Sequence, residues 1–257
     1  MTLLPIASSS RGNAYVVEQD GAALLIDCGV SCRCLQAHVD LSRLCGVLVT
    51  HNHTDHVSGL KTLLKKAHVP VYANEMTAEA IVGLHLADDG DFACFENGQA
   101  FEVGPFSVSP FSIPHDAADP VGFLIRGDRT YFHGTDIGTP LDSIGLKLAE
   151  ADFATLESNH DLTLLRTSRR PPSLVQRIAG PRGHLSNDQA CSLVRRFAAP
   201  RLTRLWLAHL SGECNEPRLA LDAMRSTLAE MGRADVSCRV FAPTRREDAR
   251  RAWWRAP

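Results

Sequence analysis

The sequence predicts an α/β protein built as an αββα sandwich, in which two mixed β-sheets lie face to face with helices on both outer faces. Two observations support this fold class. Strand patterns come in pairs separated by short turns, and helical patterns alternate with these strands in both halves of the chain. A chain of 257 residues, 44% apolar and 22% charged, can bury such a core. Because it contains no repeat or low-complexity linker, we expect one domain over residues 1–257.

Apolar runs and turn residues give the elements of the first half. Residues 13–29 are typical of two strands joined by the turn at Gln19-Asp20-Gly21. Residues 45–50 form a short continuous apolar run, as expected of a strand buried on both faces. The remaining elements are a helical pattern over 57–67, a strand over 69–74 and a helix over 76–87.

The second half begins with two strand–turn–strand patterns, over residues 99–114 and 121–135. Their turns lie at Gly104-Pro105 and Gly127-Asp128. The elements that follow are a helix over 140–149, a strand over 151–158, a helix over 186–198 capped by Ser186 or Asn187, a strand over 202–209, a helix over 216–232 and a strand over 237–243.

Composition excludes several classes of protein. The N-terminus lacks the charged and apolar regions of a signal peptide, and no apolar run reaches the roughly 20 residues that span a bilayer. We therefore expect a cytoplasmic protein without a membrane partner. Eight cysteines in a chain of this length do not resemble a secreted disulfide framework, although the run "DCGVSCRC" leaves a separate metal site open. The net charge of −2 predicts no partner.

The segment "HNHTDH" is the strongest functional signal in the sequence. It places His51, His53, Asp55 and His56 directly after the buried strand at 45–50. Because side chains alternate along an extended segment, His51 and His53 point the same way, while Asp55 and His56 fall at the turn into the next helix. Imidazole and carboxylate groups are ligands for Zn²⁺, Mn²⁺ or Fe, so the segment predicts a metal site.

The pattern H-x-H-x-D-H after an apolar strand resembles the signature of the metallo-β-lactamase fold. This resemblance implies further ligands at later strand ends, and His115, Asp136 and His209 stand there in "FSIPHDA", "YFHGTDIG" and "LWLAHLS". It implies two divalent ions, Zn²⁺ or Mn²⁺, with Asp136 bridging them. The ligands of the first ion are His51, His53 and His115, and those of the second are Asp55, His56 and His209.

Within this fold, the segments "SSSRGN", "PHDAADPVGF", "TDIG", "LESNHD", "GHLSN" and "LAHLS" resemble the YycJ/WalJ-like group over residues 5–220. That group consists of metal-dependent 5′-to-3′ exonucleases acting on DNA. The segment "SSSRGN" departs from the group's usual S-G-S-x-G-N by lacking the first glycine. A bridging Asp136 favours the thioesterase and nuclease branches of the fold over the lactamases, and the resemblance to the group implies a nuclease. We expect Asp55 and His184 to be catalytic. His184 could bind the scissile phosphate or protonate the leaving 3′ oxygen, unless it is a bystander beside the helix cap.

Other polar residues near strand ends are candidates for substrate contact. His184 precedes a predicted helix N-terminus, where Ser186 and Asn187 would form a phosphate cradle, unless these residues only cap the helix. Asn159 and His160 in "LESNHD" are expected to face the site as substrate contacts, or else to form a structural turn.

Three further residues have narrower roles. Asp27 is expected to orient a metal-binding histidine, or else to cap a turn. Asp116 is an alternative to His115 as a ligand, and His133 is expected to be structural.

Charge is distributed unevenly along the second half. Only one acid, Asp188, accompanies the nine arginines of residues 166–204, which are Arg166, Arg169, Arg170, Arg177, Arg182, Arg195, Arg196, Arg201 and Arg204. Such a stretch suits a nucleic-acid backbone, although it is also compatible with a solvated surface. In the basic and aromatic tail 245–257, Trp253 and Trp254 could stack on bases or pack against the body of the protein.

The sequence therefore predicts a two-metal phosphodiesterase acting on nucleic acid. The resemblance to the YycJ/WalJ-like group implies a 5′-to-3′ exonuclease on DNA with a single-stranded or nicked 5′ end. One alternative is a small-molecule phosphodiesterase or thioesterase that uses the same site. A second alternative, a non-catalytic metal-binding adaptor, is disfavoured because the ligand set is complete. The sequence does not decide between Zn²⁺ and Mn²⁺, between DNA and RNA or between oligomeric states.

Overall fold

The computed structural model describes residues 1–241, and its first β-sheet is formed by the N-terminal part of the chain. In spatial order its strands are β1 (Thr2–Ser9), β2 (Gly12–Gln19), β3 (Ala22–Ile26), β4 (Leu44–Leu48), β5 (Val71–Ala73) and β6 (Phe92–Cys94). The first three strands pair antiparallel, and β3 to β6 pair parallel. The predicted tail 245–257 lies outside the described residues.

The second sheet is mixed in the same way. In chain order its strands are β7 (Phe101–Val103), β8 (Phe106–Ser112), β9 (Val121–Arg126), β10 (Thr130–Gly134), β11 (Phe153–Glu157), β12 (Arg204–Ala208) and β13 (Ser237–Val240), which is also their spatial order. Strands β7 to β10 form an antiparallel meander, and β10 to β13 run parallel. Strand β11 therefore lies between β10 and β12.

Helices cover the outer face of each sheet. In chain order they are α1 (Cys32–Gln36), α2 (Thr54–Val57), α3 (Leu60–Leu64), α4 (Glu75–Gly83), α5 (Asp142–Ala149), α6 (Leu162–Thr167), α7 (Pro172–Ile178), α8 (Asn187–Phe197) and α9 (Pro217–Glu230). Helices α1 to α4 pack on the first sheet, and α5, α8 and α9 pack on the second. The predicted αββα sandwich is confirmed. Within residues 1–241, no helix combines the length and apolarity needed to cross a bilayer.

Alternation along the strands divides the core into layers. In β2, Tyr15 and Val17 face the other sheet, whereas Val16 faces the helices. In β9, Phe123 faces the first sheet and Leu124 faces helices α5 and α8. Each central strand buries both of its faces, which explains the continuous apolar runs in the sequence.

Some elements differ from the sequence prediction. The sequence pattern predicts no element over residues 2–9, 92–94 and 162–178, but these segments contain β1, β6 and helices α6 and α7. Strand β1 carries Pro5 at a register shift on the sheet edge, and the two helices are too short to show a clear period. The predicted helix 57–67 is interrupted before α3 at Gly59, where a Cβ would lie 2.0 Å from the carbonyl oxygen of Val30.

Candidate metal centre

The predicted ligands meet at one edge of the two sheets, where several strands end. His51 follows β4, His115 follows β8, Asp136 follows β10 and His209 follows β12. Asp136 and His209 have left-handed backbones, with φ of 58° and 55°. This conformation turns the chain sharply at the end of each strand, and it is uncommon for a non-glycine residue. Such backbone strain concentrates at functional sites.

The first group of potential ligands consists of His51, His53 and His115, whose nearest ring nitrogens lie within 4.8 Å of one another. The outer nitrogen of each ring is held by a hydrogen bond. His115 Nδ1 donates to the carbonyl oxygen of Gly183 at 3.0 Å, and His53 Nε2 donates to that of Asp116 at 3.2 Å. The opposite nitrogens, His53 Nδ1 and His115 Nε2, are then both acceptors, and they face each other at 3.4 Å.

The second group consists of Asp55, His56 and His209, whose ligand atoms also lie within 4.8 Å of one another. His56 Nδ1 donates to Asp27 Oδ2 at 2.7 Å, so Asp27 is placed to orient this ring, as predicted for a histidine of the site. The side chain of Asn13 adds a donor, because its Nδ2 lies 3.2 Å from Asp55 Oδ2 and 3.0 Å from His56 Nε2.

Asp136 lies between the two groups and is 2% exposed. Its Oδ2 is 3.3 Å from His56 Nε2, and its Oδ1 is 3.8 Å from His115 Nε2. The structure thus brings together all seven side chains that the sequence predicts as metal ligands. The Asp136 carboxylate lies close enough to reach ligand atoms of both groups.

The donor atoms fit divalent metal ions. Among residues 1–241, the buried atoms His51 Nε2, Asp136 Oδ2 and His209 Nε2 have no hydrogen-bonding partner. Buried acceptors that face one another are unfavourable unless a cation lies between them. The 3.4 Å separation of His53 Nδ1 and His115 Nε2 equals the value of about 3.4 Å expected for two tetrahedral nitrogen ligands of zinc. Within residues 1–241, the groups of side chains that could hold a metal ion contain no cysteine, so they include no "DCGVSCRC" site.

Glu157, at the end of β11, is a central residue that the sequence reasoning missed. Its side chain is fully buried, and Oε1 accepts hydrogen bonds from His184 Nδ1 and His209 Nδ1, both at 2.9 Å. Oε2 accepts from the backbone N–H groups of Ile137 and Leu185 at 2.7 and 3.0 Å. Burial alone would raise the pKa of Glu157, but the His184 charge and the hydrogen bonds lower it to about 2. The sequence feature that could have identified Glu157 is the position of an acidic residue at the end of a buried strand.

His184 lies outside the two predicted groups of ligands, but its ring lies within 4.8 Å of ligand atoms of Asp136, Glu157 and His209, and these four side chains could also hold an ion. Its Nδ1 is bound to Glu157, which leaves Nε2 as the ring nitrogen available to the pocket that His184 lines. The side chain is 20% exposed, and its Nδ1 lies 3.5 Å from Asp136 Oδ1. His184 is therefore positioned to contact a molecule bound at the centre.

The other predicted substrate contacts are placed differently. Asn159 lines the pocket, and its Nδ2 donates to the carbonyl oxygen of His209. His160 is buried and is not among the residues that line the pocket, and burial lowers its pKa to about 4. The phosphate cradle of Ser186 and Asn187 is not supported by the structure. Ser186 caps α8 in a capping box with Gln189, and Asn187 is bonded to Ser158 and Asn215, so their polar groups are already used.

His133 and the "SSSRGN" loop have structural explanations. His133 is fully buried, burial lowers its pKa to about 3, and its Nδ1 contacts the Tyr131 hydroxyl at 3.0 Å. Ser9 lies in β1, pairs with Gly12 and is not among the residues with positive φ, so a glycine is not required there. Ser8 Oγ accepts a hydrogen bond from the backbone N–H of His209 at 2.7 Å.

The arginine-rich segment divides into two parts. Arg170 and Arg177 line the pocket over the metal centre, a cavity of about 230 Å³. By contrast, Arg195 and Arg196 of α8 pair with acids of the outer helices, and Arg201 pairs with Asp152 just before β11 begins, at the opposite end from the site. Only part of the predicted basic stretch therefore flanks the centre.

The fold and the histidine–carboxylate centre together define a metal-dependent hydrolase of the metallo-β-lactamase fold. The family described as "Beta-lactamase superfamily domain" matches residues 23–209, which is most of the chain, and the chain belongs to it. The matched segment begins in β3 and ends at His209, so it includes both groups of potential ligands.

Two curated relatives are similar to this chain along most of their length. Exodeoxyribonuclease YycJ of Bacillus anthracis is 34% identical over 235 residues, which cover 88% of this chain and 89% of the relative. Exodeoxyribonuclease WalJ of Streptococcus pneumoniae is 32% identical over 234 residues, covering 88% and 87%. The resemblance to the YycJ/WalJ-like group is thereby confirmed.

Among solved structures, the chain is similar to the metallo-β-lactamase fold protein YhfI of Bacillus subtilis. The TM-score is 0.73 at 16% identity, with 95% of this chain and 97% of the other covered. At this level of identity the likeness shows the fold alone.

Proposed function

We propose that this protein is a two-metal-dependent phosphodiesterase that degrades DNA from a 5′ end. The observation that carries the proposal is the pair of ligand groups on either side of Asp136, at the bottom of a pocket that also presents His184 and two arginines. The names of the two curated relatives, both exodeoxyribonucleases, supply the substrate class.

We assign His51, His53 and His115 to one ion, and Asp55, His56 and His209 to the other. Asp136, which lies between the two groups, would serve both ions. Two divalent ions held in this way, Zn²⁺ or Mn²⁺, would supply an activated water and neutralise the charge that develops on a phosphodiester. Thr50, Asp27 and Glu157 orient the histidines, since each binds the ring nitrogen that points away from the centre.

His184 is assigned to the leaving group. Its Nδ1 donates to the buried carboxylate of Glu157, which fixes the orientation of the ring and directs Nε2 into the pocket. From there Nε2 can transfer a proton to the departing 3′ oxygen of the DNA. We assign Asp55, which lines the same pocket, to accept the proton that the attacking water loses. Asn159 forms part of the wall against which the substrate lies.

The test is a product ladder with metal-loaded protein. Single-stranded DNA carrying a 5′ phosphate and a 3′ label is compared with the same strand labelled at the 5′ end, with RNA and with a small phosphodiester. The proposal expects the 3′-labelled DNA to shorten progressively and the 5′ label to be released as a mononucleotide. General acid catalysis is commonly worth about 10²–10⁴-fold, so His184→Ala should slow the reaction by that factor.

His68→Ala is the matched control, because His68 is exposed and belongs to neither group of ligands. It should degrade DNA at the wild-type rate. Intact DNA alongside rapid turnover of the small phosphodiester would reject the nucleic-acid assignment while keeping the metal centre. Preferential degradation of RNA would reject DNA as the substrate. Shortening from the 3′ end would reject the proposed polarity.

A further inference from the structure

A surface groove runs outward from the metal-centre pocket along helix α7. We call it the α7 groove, and it is lined by Ser173, Gln176 and Arg177 of that helix, by the turn at 180–182 and by Asp116. Asp116 and Arg177 also line the pocket over the metal centre, so the groove and the pocket adjoin each other at this ion pair. A chain molecule that reacts at the centre therefore has a path along α7.

The groove carries net positive charge. Arg182 donates two hydrogen bonds to the carbonyl oxygen of His115, at 3.0 and 2.8 Å, and no carboxylate of residues 1–241 pairs with it. Arg177 Nε donates to Asp116 Oδ2 at 2.5 Å, and its side chain is 61% exposed. Two guanidinium groups thus face a single carboxylate. Serine and glutamine side chains add hydrogen-bonding groups without further acid.

Arg177 is close to the reaction centre without being part of it. Its partner is Asp116, whose other carboxylate oxygen, Oδ1, lies 3.4 Å from His115 Nε2. The guanidinium therefore contacts a carboxylate that itself lies beside a proposed ligand of the first ion. A phosphate bound by Arg177 would consequently be the neighbour of the phosphate undergoing hydrolysis.

We propose that the α7 groove holds the single DNA strand beyond the scissile phosphate, and that Arg177 binds the adjacent phosphate. This inference rests on the proposed function. The nitrogens of the guanidinium other than Nε provide the paired donors that match a phosphate. Asp116 holds the guanidinium at the mouth of the groove in the free protein, so that little side-chain freedom has to be lost when DNA binds.

The test is the salt dependence of DNA binding. A fluorescent single-stranded oligodeoxythymidylate with phosphorothioate linkages, which resist hydrolysis, is titrated with metal-loaded protein at several salt concentrations. Each phosphate contact on a single strand contributes about −0.7 to the slope of log K against log salt. Arg177→Gln should make the slope less steep by about 0.7 and should weaken binding about tenfold at low salt.

Arg196→Gln is the matched control. Arg196 forms a similar exposed ion pair, with Asp142 at 2.6 Å, but it lies in the outer helical layer. It should retain the wild-type slope. Metal content and unfolding midpoint should match the wild type in both variants, which excludes an indirect effect of unpairing Asp116.

An Arg177→Gln protein with the wild-type salt slope would overturn the inference, as would an equal change in Arg196→Gln. These results differ from failure of the proposed function, in which the wild-type protein itself would neither bind nor degrade DNA.

Discussion

Replacing Glu157 by glutamine tests how the centre holds its histidines. The carboxylate accepts four hydrogen bonds, two on each oxygen, and glutamine keeps the shape but turns one oxygen into a donor. The backbone N–H groups of Ile137 and Leu185 must keep an acceptor, because a peptide cannot move its proton. The new NH₂ group should therefore face Nδ1 of His184 and His209.

The size of the effect follows from this geometry. To accept a hydrogen bond at Nδ1, His209 must carry its proton on Nε2, the nitrogen that lies 3.9 Å from Asp55 Oδ2 within the second group. A protonated Nε2 cannot bind a metal. Loss of such an orienting partner commonly costs 10–100-fold in metal affinity, or about 1.4–2.7 kcal/mol. If the two rings instead keep their protons on Nδ1, buried donors stay without acceptors, and the free energy of unfolding falls by about 1–3 kcal/mol.

The assay is metal release under competition with a chelator, combined with denaturant unfolding of the metal-free protein. Glu150→Gln is the control, since Glu150 forms an exposed ion pair with Arg126 and should change metal affinity little. A Glu157→Gln protein with wild-type metal affinity, wild-type stability and full activity would refute the reasoning. It would show that Glu157 neither orients His209 nor satisfies the surrounding donors.

The remaining predictions concern residues that position the "HNHTDH" segment. Asp27→Asn should weaken metal binding by about 10–100-fold, because an amide that faces His56 Nδ1 favours the tautomer with its proton toward the metal; unchanged chelator competition would contradict this. Gly29→Ala should destabilise the protein by about 3 kcal/mol or more, since its Cβ would lie 1.6 Å from the carbonyl oxygen of Asp55. A wild-type unfolding midpoint for Gly29→Ala would contradict this, because it would show that the loop at Gly29 can shift with no loss in the free energy of unfolding.

The sequence by itself determined the sandwich and the set of potential ligands. Strands buried on both faces have continuous apolar runs, so their ends are visible, and histidines or acids placed directly after them stand out. His51 stands out in this way, and the resemblance to the metallo-β-lactamase fold then implies His115, Asp136 and His209 at the ends of later strands. The short edge strands and short helices were missed because a few residues do not establish a period.

The tertiary structure alone decided which polar groups work together. Glu157 binds His184 and His209 because β11 lies between β10 and β12 in the sheet. The order of strands in a sheet cannot be predicted from a local sequence pattern. Asp116 meets Arg177 across 61 positions of sequence. Ser186, by contrast, belongs to a sequence segment that predicts a phosphate-binding site, but its hydroxyl caps α8. A local pattern gives the type of a side chain, whereas its hydrogen-bonding partners depend on which elements pack side by side.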